Sequence, residues 1–478
     1  MDASKFIKNL IKYCIPSIVS AIVGIAVIPL ISRLFPTEDY GKINLFYSVG
    51  NMILYIVLLG LDSAYIRFYF EQPEGVSRKQ LFSLSIWTST VSACFATIIF
   101  TIFLQDLVTS YLFGERYDLG IIALLVYIIG LVLFRLLSIE TRMEGKALRY
   151  NIQQILLIFT NRVSFVIIAL YSTNYRYSVW TITISSIVLG IVFFFTQKKK
   201  SDLAFPKIKK NILKTVFAFS IPLMPTTVMT WLNNSAAKMV LSGYNDFNSV
   251  GILSIATSVA NIFSLVPAAF STYWSPFMYK NYKDEGYFIK KVHDYICLLC
   301  VVLVVLIFWF QDILYAIVGV NYKASQPYFM LVMLTPIQTL LCETTSYGII
   351  LSNKTKYNLY ISVVAVAFNI LAGISLYPLI GVYSVVAGIA GSAIIQIILK
   401  TIVGQRYYVS ISQPIKTMAS VILLLCVVFM NVFAYNNLFI RIIAGVITLV
   451  IISLVDNDEI KSLLVFIRKT GKTKKGAK

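Results

Sequence analysis

Apolar runs of more than twenty residues recur along the whole chain, separated by short polar and basic segments. Lipid offers no partners for backbone N–H and C=O groups, so a helix that crosses a bilayer needs roughly 20 apolar residues. The hydrophobic pattern predicts about 14 such helices, at 13–34, 43–66, 81–104, 118–140, 150–171, 176–196, 213–241, 248–278, 289–311, 325–351, 357–377, 381–403, 413–434 and 437–455. The sequence therefore predicts an all-α, polytopic membrane protein.

Composition supports a membrane environment for the whole chain. Of the 478 residues, 58% are hydrophobic and only 13% are charged, and the mean hydropathy is +0.80. Such values are far from those of a water-soluble protein. The first apolar run is too long for a signal peptide and ends in a basic loop, so we interpret it as a retained span.

The distribution of cations predicts the orientation. Under the assignment above, 32 of the 41 Lys and Arg residues fall on one side of the membrane. Lys and Arg are held back on the cytoplasmic side, so we expect both termini in the cytoplasm. The net charge of +20 is then explained by topology and by attraction to anionic membrane lipids, and we expect no nucleic-acid partner.

Landmarks in the first half of the chain recur in the second half at nearly one offset. The pairs are Ile15-Pro16 with Ile221-Pro222, Tyr40-Gly41 with Val250-Gly251, and Tyr150-Asn151 with Tyr357-Asn358. Such repetition predicts two six-helix bundles in the same orientation, a parallel repeat. The predicted domains are an N-terminal bundle at 1–196, a Lys-rich cytoplasmic linker at 197–214, a C-terminal bundle at 215–404, helices 13 and 14 at 405–455, and a basic cytoplasmic tail at 456–478.

Prolines interrupt the first span of each half at matching positions. Pro16 lies in span 1, and Pro222 and Pro225 lie in span 7. Proline removes a backbone donor and bends or weakens a membrane helix, and paired breaks of this kind point to a transport pathway. Gating hinges and static kinks both remain open interpretations.

Cations inside spans are candidates for a water-filled cavity, because charge in hydrocarbon is energetically costly. Arg162 lies about 12 residues into its span and is predicted to line such a cavity. Lys238 and Arg33 lie near the outer ends of spans 7 and 1, where they either form an outer mouth or extend to lipid headgroups. Arg135 and Arg441 lie near span ends, and we interpret both as extending to headgroups.

Three further charged residues belong to the candidate site. Asp62 in span 2 and Glu343 in span 10 either form structural ion pairs or exchange a proton or sodium ion during transport. Arg67 is assigned to the same cationic cavity as Arg162. These assignments leave the coupling ion open.

Enzymatic motifs are missing from the sequence. The predicted outer loops are short and contain few carboxylates, and no phosphate-binding glycine motif or nucleophile constellation is present. Cys297 and Cys300 have a metal-like spacing, but only His293 lies nearby, so packing is the better interpretation. We expect neither an enzyme nor a cofactor or metal, although a membrane glycosyltransferase or acyltransferase remains an alternative of a different class.

Several motifs resemble those of a known family. The segments are Pro29-Leu-Ile-Ser-Arg33-Leu-Phe-Pro36, Glu38-Asp39-Tyr40-Gly41, Leu59-Gly60-Leu61-Asp62 and Trp274-Ser275-Pro276-Phe277. They resemble bacterial flippases for O-antigen and capsule repeat units, in the multidrug/oligosaccharidyl-lipid/polysaccharide (MOP) exporter superfamily. Relatives commonly carry an acidic-basic pair in the outer part of span 7. This chain has Ala237 and Lys238 there, so the cation is present and the acid is not.

The resemblance implies a fold and a function. It implies a MATE-like fold and a multi-pass location in the bacterial cytoplasmic membrane. The implied substrate is undecaprenyl diphosphate bearing an oligosaccharide, moved from the inner to the outer leaflet by alternating access between two bundles. Arg162, Lys238 and Arg33 are then expected to bind the diphosphate. The polysaccharide polymerase machinery is an expected partner, and a lipid II flippase or a drug/cation antiporter of the same superfamily remain alternatives.

Overall fold

The computed structural model describes residues 3–197 and 210–457, except 71, 73–75, 353 and 355, together with residue 461. Most of the predicted linker at 197–214 and of the predicted tail at 456–478 lies outside these residues. Every regular element among the described residues is helical, and no strand occurs there. The all-α prediction is therefore confirmed.

Twenty α-helices follow one another along the described chain. They are α1 (Ala3–Leu34), α2 (Thr37–Val57), α3 (Leu61–Phe70), α4 (Arg78–Phe103), α5 (Gln105–Phe113), α6 (Asp118–Met143), α7 (Ala147–Arg162), α8 (Ser164–Ala169), α9 (Tyr175–Gln197), α10 (Lys210–Ser220), α11 (Met224–Gly243), α12 (Phe247–Asn261), α13 (Leu265–Asn281), α14 (Gly286–Ala316), α15 (Phe329–Thr345), α16 (Tyr347–Leu351), α17 (Lys356–Ile380), α18 (Val382–Tyr407), α19 (Pro414–Ala434) and α20 (Leu438–Val455). Short 3₁₀ turns lie at Ile221–Leu223, Ile262–Ser264 and Val320–Ser325.

Many of these segments are long and apolar enough to cross a membrane. Of the described residues, 11 helical segments meet this criterion, or 12 if the bent pair Thr37–Val57 and Leu61–Tyr69 is one span. Two shorter apolar helices, Ile18–Leu34 and Phe329–Thr345, occupy the positions predicted for spans 1 and 10. The polytopic membrane architecture is confirmed, and the count of 14 is compatible with it.

The helices group into two compact units. The first comprises Met1–Ser258, Val318–Tyr322 and Asn369–Val385, and the second comprises Val259–Ile317, Lys323–Phe368 and Val386–Lys478. Helix α6 is at the centre of the first unit, where it packs against α2, α4 and α9. A Cβ atom at Gly130 of α6 would lie 2.8 Å from the backbone nitrogen of Ile187 in α9, so glycine lets these two helices approach closely.

The second unit is held together around a buried arginine. Arg441 in α20 is only 2% exposed, and its guanidinium forms an ion pair with Asp312 of α14. It also donates to the carbonyl oxygen of Phe308 at 3.2 Å, and Trp309 donates to the Arg441 carbonyl oxygen at 2.9 Å. The interpretation that Arg441 extends to headgroups is therefore wrong, because the guanidinium is buried against α14 and pairs with Asp312 there. The contact attaches the last helix to α14.

Arg441→Ala should weaken this attachment. The variant loses charge-assisted hydrogen bonds to α14, so we expect the free energy of unfolding to fall by about 2 kcal/mol. Thermal unfolding of the purified protein in detergent should show a melting temperature a few degrees lower. Arg406→Ala, at an exposed position near the end of α18, is the matched control and should leave it unchanged. Equal melting temperatures for both variants would contradict this role.

Candidate functional site

Arg162 lies at a helix break in the first unit. Helix α7 ends at this residue and α8 begins at Ser164. The guanidinium reaches α1, where one Nη atom donates to the carbonyl oxygen of Ser20 at 2.9 Å. A Cβ atom at Gly24 would lie 2.6 Å from that nitrogen, so glycine provides the space that the guanidinium occupies on α1. The Arg162 side chain remains exposed in this position.

Polar and aromatic side chains form a stripe along α2. Tyr40, Asn44, Tyr47, Asn51 and Tyr55 follow one another at intervals of three or four residues, which places them on one face of the helix. The Asn44 and Asn51 amides donate to the backbone carbonyl oxygens of Tyr40 and Tyr47, at 3.2 and 2.7 Å. Both tyrosines lie within electrostatic range of Arg162. The predicted cation therefore lies beside a polar stripe, which we call the α2 stripe.

The other predicted cations have separate surroundings. Lys238 in α11 is partly buried and Arg33 at the end of α1 is exposed, and neither forms a hydrogen bond or ion pair with any residue that the structure describes. Arg67 at the end of α3 lies over the ring of Phe219 in α10, with 4.5 Å from the guanidinium carbon to the ring centroid. Helices α2 and α11 pack together, which places Lys238 on a direct neighbour of the α2 stripe.

Asp62 is paired inside the first unit. Its carboxylate lies 3.1 Å from an Nη atom of Arg135 in α6, and Asp62 is only 7% exposed. Arg135 thus contacts a carboxylate within the protein, which the headgroup interpretation missed. Sequence distance hid this pair, because the two residues are 73 positions apart. Exchange of a proton or sodium ion at Asp62 remains a prediction.

Glu343 lies in the second unit among hydroxyl groups. Its carboxylate bonds to the hydroxyls of Ser271 and Tyr347, the latter at 3.5 Å, and its backbone carbonyl accepts from the Trp274 indole at 2.9 Å. No cation among the described residues lies within ion-pair distance of it. Of these two predicted acids, Asp62 forms an ion pair among the described residues, whereas Lys400 acts on Glu343 from beyond ion-pair distance. Ion exchange at Glu343 remains a prediction.

The proline positions differ between the two halves. Helix α1 continues through Pro16 without a break. In span 7, α10 stops at Ser220, Pro222 lies in a 3₁₀ turn, and Pro225 lies in the first turn of α11. Span 2 contains a further bend of 54° between α2 and α3, where Leu59 and Gly60 have φ values of 50° and 71°. The hydrophobic pattern did not predict this bend, although Gly60 was a signal for it.

Two glycine landmarks of the repeat pack directly against each other. A Cβ atom at Gly41 would overlap the carbonyl oxygen of Phe247, and one at Gly251 would overlap the carbonyl oxygen of Thr37. The side chains of Thr37 and Asn248 also touch. We call this contact between α2 and α12 the glycine crossing, and it lies at the ends of both helices that are predicted to face outward.

Charged and aromatic groups surround the glycine crossing. The Lys42 ammonium lies 4.9 Å from the ring centroid of Tyr175 and 5.4 Å from that of Phe247. Glu115 accepts hydrogen bonds from Tyr175 and from Arg176, the latter at 3.0 Å. The hydrogen bond from Tyr175 is the main reason that the pKa of Glu115 lies below its usual value. Glu115 therefore remains ionised and keeps Arg176 in place.

Comparison with known proteins gives a consistent result. A family model described as "Polysaccharide biosynthesis protein" matches residues 6–282. Protein 1 of the Lsg locus of Haemophilus influenzae is 23% identical over 341 residues, which cover 69% of this chain and 81% of that protein. Both the family match and this relative agree with the resemblance identified from the sequence motifs.

Solved structures show the same fold. The structure of the lipid II flippase MurJ in an inward closed conformation has a TM-score of 0.68 at 16% identity, and the match covers 94% of this chain and 100% of that one. An inward-facing multidrug resistance transporter of the MATE family and MOP superfamily has a TM-score of 0.54 at 14% identity, covering 83% of this chain and 97% of that one. The predicted MATE-like fold is therefore confirmed.

Proposed function

Because the chain belongs to the polysaccharide biosynthesis protein family, we propose that it is a flippase for undecaprenyl-diphosphate-linked oligosaccharide repeat units. It moves them from the inner to the outer leaflet of the bacterial cytoplasmic membrane, for assembly of a surface polysaccharide. The polysaccharide polymerase machinery then takes up the product on the outer side. The polyprenyl chain remains among the membrane lipids throughout.

The position of Arg162 is the observation that carries this proposal. Its side chain is exposed within the apolar segment Ala147–Ala169, where it bonds to Ser20, contacts Gly24 of α1 and borders the α2 stripe. An exposed cation at this depth needs water or an anion, because hydrocarbon solvates neither charge nor hydrogen-bond donors. A guanidinium matches phosphate oxygens in a bidentate geometry, so a diphosphate is a suitable ligand. Further positive charge along the path of the diphosphate comes from Lys238, Arg33 and Arg67.

Alternating access requires segments that bend and contacts that open. The 3₁₀ turn at Pro222 and the bend at Leu59 and Gly60 supply two breaks in helices of the first unit. In our proposal, the glycine crossing is closed while the substrate headgroup enters from the inner side. Helices α2 and α12 then separate at the glycine crossing when the headgroup leaves on the outer side. Pro16, in a continuous helix, is a candidate for a smaller change of curvature.

The alternatives differ in the charge that they require. A drug/cation antiporter needs carboxylates deep in its cavity, whereas the cation Arg162 is exposed here and Asp62 is paired with Arg135. A lipid II flippase shares the diphosphate and must be separated by experiment. A membrane glycosyltransferase or acyltransferase would form a new covalent product when the purified protein is mixed with its lipid substrate in liposomes.

A flipping assay in proteoliposomes tests the proposal. Undecaprenyl diphosphate carrying an oligosaccharide with a fluorophore on its sugar is placed in both leaflets, and a membrane-impermeant reductant quenches the outer pool. We expect the protein to bring the inner pool within reach of the reductant, whereas protein-free vesicles retain a protected fraction. If the proteoliposomes keep the same protected fraction of fluorescent lipid as the protein-free vesicles, the proposal is overturned. Movement of fluorescent lipid II alone would assign the protein to the lipid II alternative.

A further inference from the structure

Two aromatic rings and an ion pair form a cluster at the Tyr55 end of the α2 stripe. Tyr55 of α2 and Trp231 of α11 have their ring centroids 5.6 Å apart with an interplanar angle of 33°. The Arg135 guanidinium lies 5.9 Å from the centroid of Tyr55 and is paired with Asp62. We call these four residues the aromatic-ionic cluster, and all of them belong to the first unit.

Several hydrogen-bonding groups of the cluster have no partner among the residues that the structure describes. The Arg135 guanidinium has five N–H donors. Among the described residues, one Nη atom bonds to Asp62, and the buried Nε has no hydrogen-bond partner. The Arg135 side chain is nevertheless 41% exposed. The indole N–H of Trp231 and the hydroxyl of Tyr55 form no hydrogen bond with any described residue. Unsatisfied donors beside two aromatic rings are suited to a polar ligand, because a buried donor without a partner is energetically costly.

The backbone beside the cluster is strained. Leu59 adopts a φ of 50°, which is rare for a residue with a bulky side chain, and Gly60 follows with 71°. A Cβ atom at Gly60 would overlap the carbonyl oxygen of Ser220, so glycine is required there. The resulting 54° bend begins α3 at Leu61 and directs Asp62 toward α6. Strain of this kind is concentrated at functional sites, which agrees with a role in binding.

We propose that the aromatic-ionic cluster binds a pyranose ring of the transported headgroup. One face of a pyranose presents C–H groups, which pack against the negative faces of the Tyr55 and Trp231 rings. The free Arg135 donors and the second lone pairs of Asp62 bond to the sugar hydroxyls around its edge. This inference rests on the proposed function, in which Arg162 and its neighbouring cations bind the diphosphate. It adds a separate subsite that recognises the sugar.

Binding measurements with two lipids test the subsite. The probes are undecaprenyl diphosphate bearing one N-acetylhexosamine and undecaprenyl diphosphate without sugar, each titrated into the purified full-length protein. Trp231→Leu should weaken binding of the sugar-bearing lipid about tenfold and change binding of the sugar-free lipid less than about twofold. Trp231→Phe retains a ring and should restore most of the affinity for the sugar-bearing lipid.

Controls separate recognition from folding. Trp87→Leu removes an exposed tryptophan of α4 and should bind both lipids as the wild type does. Melting temperatures of the Trp231 variants identify any loss of structure, and Trp231→Phe provides the comparison if the leucine variant is unstable. Equal effects of Trp231→Leu on both lipids, or no effect on either, would overturn the subsite alone. If the wild type binds neither lipid, the proposed function fails together with the subsite.

Discussion

Arg162→Ala should abolish surface polysaccharide display while the amount of protein in the membrane stays unchanged. The alanine variant loses the guanidinium that bonds to Ser20 beside the α2 stripe, and with it the charge-assisted bonds to the diphosphate. Loss of such bonds corresponds to a decrease of ~10- to 100-fold in transport rate. Display is measured by gel analysis of surface polysaccharide, and protein amount by immunoblotting of membranes.

Two matched variants sharpen this prediction. Arg162→Lys keeps the charge but not the bidentate geometry, so it should retain part of the display. Arg149→Ala removes an arginine of the same helix, near its opposite end, that bonds to the carbonyl oxygen of Thr196 at 3.0 Å. It should leave display near the wild-type level. Normal display in the Arg162→Ala variant would remove this residue from the mechanism.

Gly251→Ala should stop transport by preventing the glycine crossing from closing. The added Cβ atom would overlap the carbonyl oxygen of Thr37, and a backbone atom cannot move aside as a flexible side chain can. Overpacking of this kind typically costs about 1–3 kcal/mol, which shifts the protein away from the closed conformation. We expect a decrease of at least about tenfold in the flipping assay.

The control for this prediction is another helical glycine. A Cβ atom at Gly286, the first residue of α14, would have nothing within 4 Å, so Gly286→Ala should flip substrate at the wild-type rate. A complementary variant replaces Thr37 and Asn248, whose side chains touch, with cysteine in a chain that lacks other cysteines. Oxidation should then block transport, and reduction should restore it. Undiminished flipping by the oxidised protein would show that the crossing does not open during transport.

The membrane architecture was readable from the sequence because it depends on local properties. Apolar length is a property of single segments, so it predicted helices at the places where the structure has them. The orientation that the cations indicate remains a prediction. The repeat also had structural content, since its landmarks Gly41 and Gly251 meet at the glycine crossing. Its domain boundaries, by contrast, remain predictions.

The partners of charged residues were not readable from the sequence. Asp62 with Arg135, and Asp312 with Arg441, are pairs between helices that are distant in the chain. Both arginines lie near span ends, where extension to lipid headgroups is the usual behaviour, and only the packing of particular helices supplies a carboxylate instead. The bend before Asp62 similarly depends on Ser220 of a distant helix.

The α2 stripe was present in the sequence but was overlooked. Its members recur at helical spacing from Tyr40 to Tyr55, and all five are uncharged. A search for ionisable groups within spans therefore passes over them, although tyrosine and asparagine supply the donors and acceptors that line a polar path. Trp231 and Tyr55 are uncharged as well, and the sequence does not distinguish them from the other aromatic residues of apolar helices.

The central claim is that Arg162 lies in a water-filled, positively charged chamber that receives an anionic headgroup. Labelling an Arg162→Cys variant, in a chain whose six native cysteines are replaced, tests it most directly. In inside-out vesicles, a charged, membrane-impermeant thiol reagent should modify residue 162, and undecaprenyl-diphosphate oligosaccharide should slow the reaction. Modification by a lipid-soluble reagent alone would place residue 162 among acyl chains and would contradict the account.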